Sequence, residues 1–266
     1  MTAQVLRDVN ATRSLAPQAL RIFLRKVKGR LTQRGTAEER VRRYCTRLPK
    51  IVPSPIFVKV GANDGVTGDP VSDIFLSETR WKGLLIEPVP FCFQRLAANF
   101  SDSQRFSLEQ VAIGQSEGIA TFYYVDLKAS ETIPDLPDWF DQLGSFEKHH
   151  IVKHLGGALE PLIIEEPVPV CTLCGLLMKH GISKVHFLHI DAEGYDYEIF
   201  KTLDLEHDAF AAIFIEHKHL PLDQRMAMLK RLRAHSYRVD NCGGDYFAVH
   251  KSSPLRRLAW DTAAPL

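Results

Sequence analysis

Short apolar runs alternate with segments of helical periodicity along most of this 266-residue chain. Apolar runs rich in β-branched residues predict buried strands at residues 56–60, 83–86, 106–113, 185–191 and 211–216. Segments with apolar residues three and four positions apart predict the helices between them, and two closing strands are expected at residues 237–240 and 246–250. Strands that alternate with helices predict an α/β fold around a parallel sheet.

Residues 126–167 interrupt this alternation and show no clear period. Four prolines fall within them, namely Pro134, Pro137, Pro161 and Pro167. The runs on either side of 116–118 are predicted to pair as an antiparallel hairpin, and residues 168–171 are predicted to form a short strand. Long irregular insertions in α/β domains often carry function, so we expect residues 126–167 to form a substrate loop or lid.

Three glycines, Gly61, Gly65 and Gly68, follow the first predicted strand. Their spacing is G-x-x-x-G-x-x-G, which differs from the G-x-G-x-x-G pattern of dinucleotide sites, and the G-x-x-x-x-G-K-[ST] phosphate loop is absent from the sequence. Glycine lets a ligand approach the backbone closely because it has no Cβ. The pattern therefore favours a nucleoside cofactor without phosphates, above all S-adenosylmethionine, over a nicotinamide cofactor. An ordinary βαβ turn is the alternative interpretation.

Three predicted strands end in a carboxylate, at Glu87, Asp191 and Glu216. The carboxyl ends of parallel strands meet at one edge of a sheet, where ligands bind. Clustered acids repel one another, so their presence at this edge indicates a functional site. A carboxylate such as Glu87 can accept hydrogen bonds from both hydroxyls of a ribose.

Two histidines of the predicted lid, His150 and His154, stand four residues apart and would share one face of a helix. This spacing can bind a metal, but the H-E-x-x-H pattern is absent because the intervening residues are Ile-Val-Lys. A solvated helix face is the alternative, and the sequence predicts no specific metal ligands.

The first 50 residues differ in charge from the rest. They contain 13 Lys and Arg residues against 3 Asp and Glu residues, whereas the whole chain has a formal net charge of +1. Residues 14–31 predict a basic amphipathic helix, which can pack on its own domain, contact a second subunit or lie on an anionic membrane. Nucleic-acid binding is not expected, because aromatic residues are not interleaved with the basic ones. A second helix is predicted over residues 36–48, with a capping box at its start.

We therefore divide the chain into a basic helical extension (1–50), a catalytic domain (51–252) and a tail (253–266). The first ten residues lack the apolar core of a signal peptide, and no apolar run reaches the length of a membrane span. Five scattered cysteines suit a reducing compartment. The expected location is the cytoplasm, with peripheral membrane contact through the basic helix.

Five stretches of the sequence resemble the FkbM family of S-adenosylmethionine-dependent methyltransferases. They are residues 60–65 (VGANDG), 81–88 (WKGLLIEP), 111–114 (VAIG), 188–196 (LHIDAEGYD) and 215–217 (IEH). The resemblance covers about residues 56–250. It implies a Rossmann-like class I methyltransferase fold with a seven-stranded, mostly parallel sheet, helices on both faces and an antiparallel last strand. It also implies methyl transfer to oxygen, often a sugar hydroxyl of a glycolipid, polysaccharide or natural product.

The resemblance also implies a set of cofactor-binding residues: Gly61, Ala62, Asn63, Asp64, Glu87, Pro88, Val111, Ala112 and Asp191. The first three would line the methionine end of the cofactor. The carboxylate before Pro88 would hold the ribose, residues 111 and 112 would flank the adenine, and the last would lie beside the transferred methyl. Lys59 stands where many members carry an acid, so Asp64 or Asp69 is expected to contact the methionine amino group.

A hydroxyl acceptor needs a general base, and the candidates are Asp191, Glu193 and His217 at strand ends and His150 in the lid. A divalent ion held by Asp191 and its neighbours is an open alternative. The expected partners are a small-molecule or glycan acceptor and a second subunit. A non-catalytic Rossmann-like module that binds a membrane or partner through its basic arm is the competing hypothesis. It predicts no cofactor binding.

Overall fold

A computed structural model describes residues 37–133, 135–137, 139–206 and 210–256. The predicted basic helix at 14–31 lies outside these residues, as do the start of the predicted capping box and residues 257–266. Membrane contact and subunit contact through that helix therefore remain predictions.

The described residues form eleven strands in two sheets. They are β1 (Ile56–Val60), β2 (Lys82–Ile86), β3 (Phe106–Glu109), β4 (Ala112–Ile113), β5 (Gly118–Val125), β6 (Gly144–Ser145), β7 (Ile163–Cys171), β8 (Phe187–Ile190), β9 (Ala212–Glu216), β10 (Tyr237–Asn241) and β11 (Asp245–His250). The larger sheet has seven strands in the order β10-β11-β9-β8-β1-β2-β3. β11 is antiparallel to β9 and β10, and the other described pairings of this sheet are parallel. The predicted fold is confirmed.

Eight α-helices of the described residues accompany the strands. They are α1 (Ala37–Arg47), α2 (Ser72–Ser77), α3 (Pro90–Asn99), α4 (Ala129–Thr132), α5 (Lys148–Val152), α6 (Leu173–Lys179), α7 (Asp196–Thr202) and α8 (Leu222–Ala234). Successive strand residues point to opposite faces, so the seven-stranded sheet has two cores. Val58 and Ile86 face the core that contains Leu176, Phe200 and Met228 from α6, α7 and α8. Phe57 and Leu85 face the core that α1, α2 and α3 cover.

The smaller sheet differs from the sequence prediction. Its strand order is β4-β7-β5-β6, so β7 lies between the two strands that were expected to pair as a hairpin. The predicted strand 106–113 is two strands, because the chain leaves the larger sheet after Glu109 and joins the smaller one at Ala112. β7 begins at Ile163 rather than 168 and contains two prolines. β4 pairs only with Val170 and Cys171 of β7. Beside the two prolines, this edge of β7 therefore has no described strand partner. The N–H that each proline lacks is not needed for strand pairing at that edge.

The described part of the N-terminal extension belongs to the domain core. Tyr44 of α1 is 1% exposed and donates a hydrogen bond through its hydroxyl to the backbone oxygen of His186, at 3.1 Å. The indole Nε1 of Trp81 donates to the backbone oxygen of Cys45, also at 3.1 Å. Residues 37–50 therefore do not form a separate piece, and the predicted boundary at residue 50 lies within a packed region.

Gly61 permits the carboxyl ends of β1 and β8 to meet. Its φ is +71°, and a Cβ at this position would lie 1.8 Å from the backbone oxygen of Asp191.

We expect Gly61→Ala to lower the free energy of unfolding by more than about 3 kcal/mol, since left-handed strain alone costs about 1–2 kcal/mol and the clash adds to it. Gly181→Ala is the matched control, because φ is +64° there and no atom of the described residues lies within 4 Å of the added Cβ. Urea denaturation that shows equal losses for both variants would contradict this role.

Candidate active site

A cavity of about 710 Å³ lies at the carboxyl ends of β1, β2, β8 and β9. Its volume is within the range of about 300–1,000 Å³ that is typical of small-molecule sites. The glycine turn after β1 forms one wall, and Glu87, Asp191 and Glu216 from neighbouring strands all line it. The three strand-end carboxylates therefore meet, as the sequence predicted.

Glu87 is held in place by backbone donors. Its Oε2 accepts a hydrogen bond from the backbone N–H of Asn63 at 2.8 Å, and its Oε1 accepts one from the N–H of Val89 at 2.9 Å. The residue is 5% exposed, and burial raises the pKa of its carboxyl to about 7. Each oxygen has a second lone pair, so the fixed carboxylate can still accept two hydrogen bonds from a ligand in the cavity.

Asp191 presents a polar atom that lacks a partner. Its Oδ1 is fully buried and has no hydrogen-bond partner among the described residues. Burial, and then the nearby carboxylate of Glu193, raise the pKa of this carboxyl. An unpartnered buried carboxylate oxygen is costly, so a ligand that supplies a donor or a positive charge would stabilise it.

Two further acids, Glu216 and Asp196, lie close to Asp191, and each of the three offers an oxygen within 4.8 Å of the others. Burial raises the pKa of Glu216 to about 9 and that of Asp196 to about 8. Nζ of Lys218 lies 2.5 Å from Oε1 of Glu216, but the lysine side chain is half exposed and its charge does not reverse the effect of burial. Both oxygens of Asp196 already accept backbone hydrogen bonds, from Ala192 at 2.9 Å and from Gly194 at 3.0 Å. Asp196 therefore braces the loop after β8.

The charge of the cavity lining is predominantly negative. Its two ammonium groups already have carboxylate partners, since Lys59 lies 2.6 Å from Asp69 and Lys218 lies beside Glu216. No arginine of the described residues lines the cavity. A phosphate-bearing ligand would lack cationic partners here, whereas a ligand with a net positive charge is complementary.

A second polar group lies where the loop after β8 meets the insertion. His150 Nε2 is 3.3 Å from Glu193 Oε2, and His219 Nε2 is 4.0 Å from the same oxygen. The ring centroids of His150, His154 and His219 are 4.9–5.6 Å apart. Burial alone would raise the pKa of Glu193, but the hydrogen bond with His150 and the nearby Lys218 hold it below its usual range.

Most of the residues predicted to bind the cofactor line this cavity: Gly61, Asn63, Glu87, Pro88, Val111, Ala112 and Asp191. Two others do not. Ala62 is fully buried in the core beneath α1 and α2. Asp64 accepts hydrogen bonds from the backbone of Val66 and Thr67, both at 2.8 Å, and so shapes the glycine turn. Oδ2 of Asp69 is paired with the ammonium of Lys59, so this oxygen is not available to the amino group of a ligand.

His217 was a candidate base, but it does not line the cavity. It is 3% exposed, its ring stacks on Tyr246 with centroids 3.8 Å apart, and its Nε2 lies 3.4 Å from Oδ1 of Asn241. Neighbouring strand residues face opposite sides, so Glu216 points into the cavity and His217 points away from it. We therefore assign His217 a structural position. Of the other candidate bases, Asp191 and Glu193 line the cavity, and His150 reaches it through Glu193.

The insertion after β5 covers the open side of the cavity. Residues of 126–167 that line it include Trp139, Leu143, Phe146 and His154. The side chain of Phe146 packs against Tyr195 of the loop after β8, with ring centroids 4.7 Å apart.

Sequence reasoning missed Lys218 and His219, although the run E-H-K-H at the end of β9 was a visible signal.

The free protein should lose stability as the pH rises from 7 to 9. In this range Glu87, Asp196 and Glu216 release protons in the folded state, at about 7, 8 and 9, whereas unfolded carboxyls ionise near pH 4. The unfolded chain then binds fewer protons than the folded one, so the free energy of unfolding falls by about 1.4 kcal/mol per pH unit for each proton.

Calorimetry between pH 7 and 9 should therefore show a falling Tm, and Glu216→Gln should make the fall shallower. A Tm that is constant or rises over this interval would contradict the assigned burial of these carboxylates.

Among the described residues, no helix combines the length and the apolar composition that crossing a bilayer requires.

Residues 59–239, about two thirds of the chain, match the model of the methyltransferase FkbM domain. No curated protein sequence matches the chain at a significant level.

Solved structures show only distant likeness. A METTL16 MTase domain has a TM-score of 0.40 at 9% identity, and the match covers 77% of this chain and 62% of that one. A Methanococcus jannaschii fibrillarin pre-rRNA processing protein has a TM-score of 0.35 at 10% identity, with 74% and 65% covered. An Aeropyrum pernix fibrillarin with natively bound S-adenosyl-L-methionine has a TM-score of 0.34 at 10% identity, with 79% and 72% covered. The chain thus spans less than two thirds of the first two structures, and likenesses this weak add nothing to the assignment.

The assignment rests on the family match together with the observed fold. The match begins in β1 and ends in β10, so it contains every strand-end carboxylate of the cavity. The predicted resemblance is confirmed: the chain belongs to the FkbM methyltransferase family, whose cofactor is S-adenosylmethionine.

Proposed function

We propose that this protein is an O-methyltransferase that transfers the methyl group of S-adenosylmethionine to a hydroxyl of a sugar or another small molecule. The observation that carries the proposal is that Asp191, which has a buried and unpartnered oxygen, lines the same cavity as the fixed carboxylate of Glu87. Glu87 can hold the ribose of a nucleoside, and Asp191 can accept a proton from an acceptor hydroxyl bound beside it.

The lining fits the proposed cofactor. Glu87 offers two acceptor positions to the ribose hydroxyls, and the apolar side chains of Val111, Ala112 and Ile113 offer a surface for adenine. Asp191 lines the same cavity, where its ionised carboxylate would stabilise a sulfonium. The lack of an arginine among the described residues of the lining argues against a pyrophosphate at the same place.

S-adenosylmethionine supplies an activated methyl group, so the chain has to orient the acceptor, exclude water and accept one proton. Asp191 is best placed to accept the hydroxyl proton, because burial makes its carboxylate a stronger base than an exposed one. Transfer would break the bond from sulfur to the methyl carbon as the acceptor oxygen forms its bond to that carbon. The hydroxyl proton passes to an Asp191 oxygen and afterwards to solvent.

Aromatic side chains favour a ring-shaped acceptor. Trp139 is 42% exposed at the mouth of the cavity, and Phe146 and Tyr195 line it further in. Aromatic faces of this kind suit the apolar face of a sugar, while its hydroxyls reach the polar groups. The insertion that carries Trp139 and Phe146 is therefore proposed to select the acceptor.

The proposal is tested with cofactor that carries a tritiated methyl group, incubated with extracts of the host. We expect the label to appear in a hydroxyl-bearing compound, as an ether that resists mild base. A protein that binds S-adenosylhomocysteine but transfers no more label than a heat-inactivated sample would contradict the proposal. A protein that does not bind it at all would support the non-catalytic module.

A further inference from the structure

A cluster of four side chains at the cavity is not among the residues proposed to hold the cofactor. It consists of His150 in α5, His154 in the following turn, Glu193 in the loop after β8 and His219 after β9. Each residue offers a nitrogen or oxygen ligand atom, and these atoms all lie within 4.8 Å of one another. We propose that the cluster binds a divalent transition-metal ion, with Zn²⁺ as the representative cation.

The donor set selects the class of ion. Three imidazoles and one carboxylate suit zinc, iron, nickel or copper, whereas magnesium and calcium prefer an all-oxygen shell. Four protein ligands match the tetrahedral coordination of zinc, which can expand to admit a fifth ligand. The acidic group of Asp191, Asp196 and Glu216 is a poorer site, because both oxygens of Asp196 are already engaged by backbone N–H groups.

The surrounding chain holds the ligands at close range. Ile151, beside the first histidine, is fully buried, and the hydroxyl of Ser145 donates to the backbone oxygen of Glu193 at 3.2 Å. At Gly194 a Cβ would lie 2.8 Å from Nδ1 of His150, so a larger residue there would displace the ring. Glycine at this position lets the insertion dock its histidine against the loop after β8.

The position gives the ion a role, which rests on the proposed function. Glu193 is two residues from Asp191, and His154 and His219 also line the cavity, on the side covered by the insertion. An ion bound there would take an acceptor oxygen as its additional ligand and lower the pKa of that hydroxyl. It would thereby assist Asp191 in removing the proton.

The test uses the full chain, freed of metal with a chelator and titrated with Co²⁺, whose visible absorption reports low-coordinate nitrogen and oxygen ligation. We expect one equivalent to bind with a visible band, and Zn²⁺ to displace it. His154→Ala and His219→Gln should each weaken Co²⁺ binding at least 100-fold. The matched control is His149→Ala, because His149 is exposed and precedes the first ligand in the same helix.

Binding of S-adenosylhomocysteine is measured in the same samples. Weak Co²⁺ binding without a defined stoichiometry, or equal binding in all variants, would overturn the metal site and leave the proposed function intact if S-adenosylhomocysteine still binds. Failure of the wild-type protein to bind S-adenosylhomocysteine would contradict the proposed function, whatever the result with Co²⁺.

Discussion

Replacing Glu87 with glutamine should weaken the binding of S-adenosylhomocysteine by about 30- to 100-fold at pH 8. The carboxylate is fixed by the backbone N–H groups of Asn63 and Val89, and Glu87 lines the cavity with one acceptor position left on each oxygen. Hydrogen bonds to a charged group are worth about 1.5–3 kcal/mol each. In the glutamine variant, an NH2 group replaces one carboxylate oxygen and cannot accept a hydrogen bond from the backbone N–H or from the ribose hydroxyl at that position. A loss of about 2.0–2.7 kcal/mol corresponds to the expected change in affinity.

Isothermal titration calorimetry measures this change, and Glu109→Gln is the matched control. Glu109 ends β3, one strand further along the sheet, but it pairs with Lys179 and His180 outside the cavity. Its replacement should change the affinity less than about twofold. Equal effects of the two substitutions, or no effect of Glu87→Gln, would exclude Glu87 as the ribose-binding group.

Asp191→Asn should reduce methyl transfer by at least about 100-fold while S-adenosylhomocysteine still binds with an affinity within about fivefold of the wild type. General base catalysis contributes about 10²–10⁴-fold, and an asparagine cannot accept the hydroxyl proton. The product cofactor has a neutral sulfur, so its binding does not depend on the charge of Asp191. Removal of one acid from the group around Glu216 and Glu193 also relieves repulsion, so the Tm should not fall.

Initial rates of label transfer to an extract fraction, together with calorimetry, separate the two effects. Asp240→Asn is the control, because Asp240 lies in β10 of the same sheet, pairs with Arg40 and does not line the cavity. If Asp191→Asn transfers label at the wild-type rate, then another group, such as Glu193, is the base. A joint loss of binding and transfer would place Asp191 in cofactor binding alone.

The larger sheet was predictable because its strands carry their signal locally. Apolar runs such as 83–86 and 211–216 are buried on both faces and end in an acid, and their carboxyl ends share an edge whenever such strands are parallel. The cofactor side of the cavity follows from this rule, so Glu87 and Asp191 could be placed without knowledge of the packing.

The smaller sheet was not predictable in the same way. Pro167 and Pro169 argue against a long strand at β7, and only the position of β4 shows that one edge tolerates them. The orientation of His217 was also missed, because a strand-end position does not reveal which face a residue takes. The histidine cluster depends on the docking of α5 against the loop after β8, and nothing in the local spacing of His150 and His154 predicts the approach of His219.

The most direct test is a crystal structure of the full chain with S-adenosylhomocysteine. We predict the ribose hydroxyls at hydrogen-bond distance from both oxygens of Glu87, the adenine beside Val111 and Ala112, and the sulfur on the side of Asp191. A cavity that remains empty at saturating ligand, or a ligand bound with its ribose away from Glu87, would contradict the cofactor site that underlies the proposed reaction.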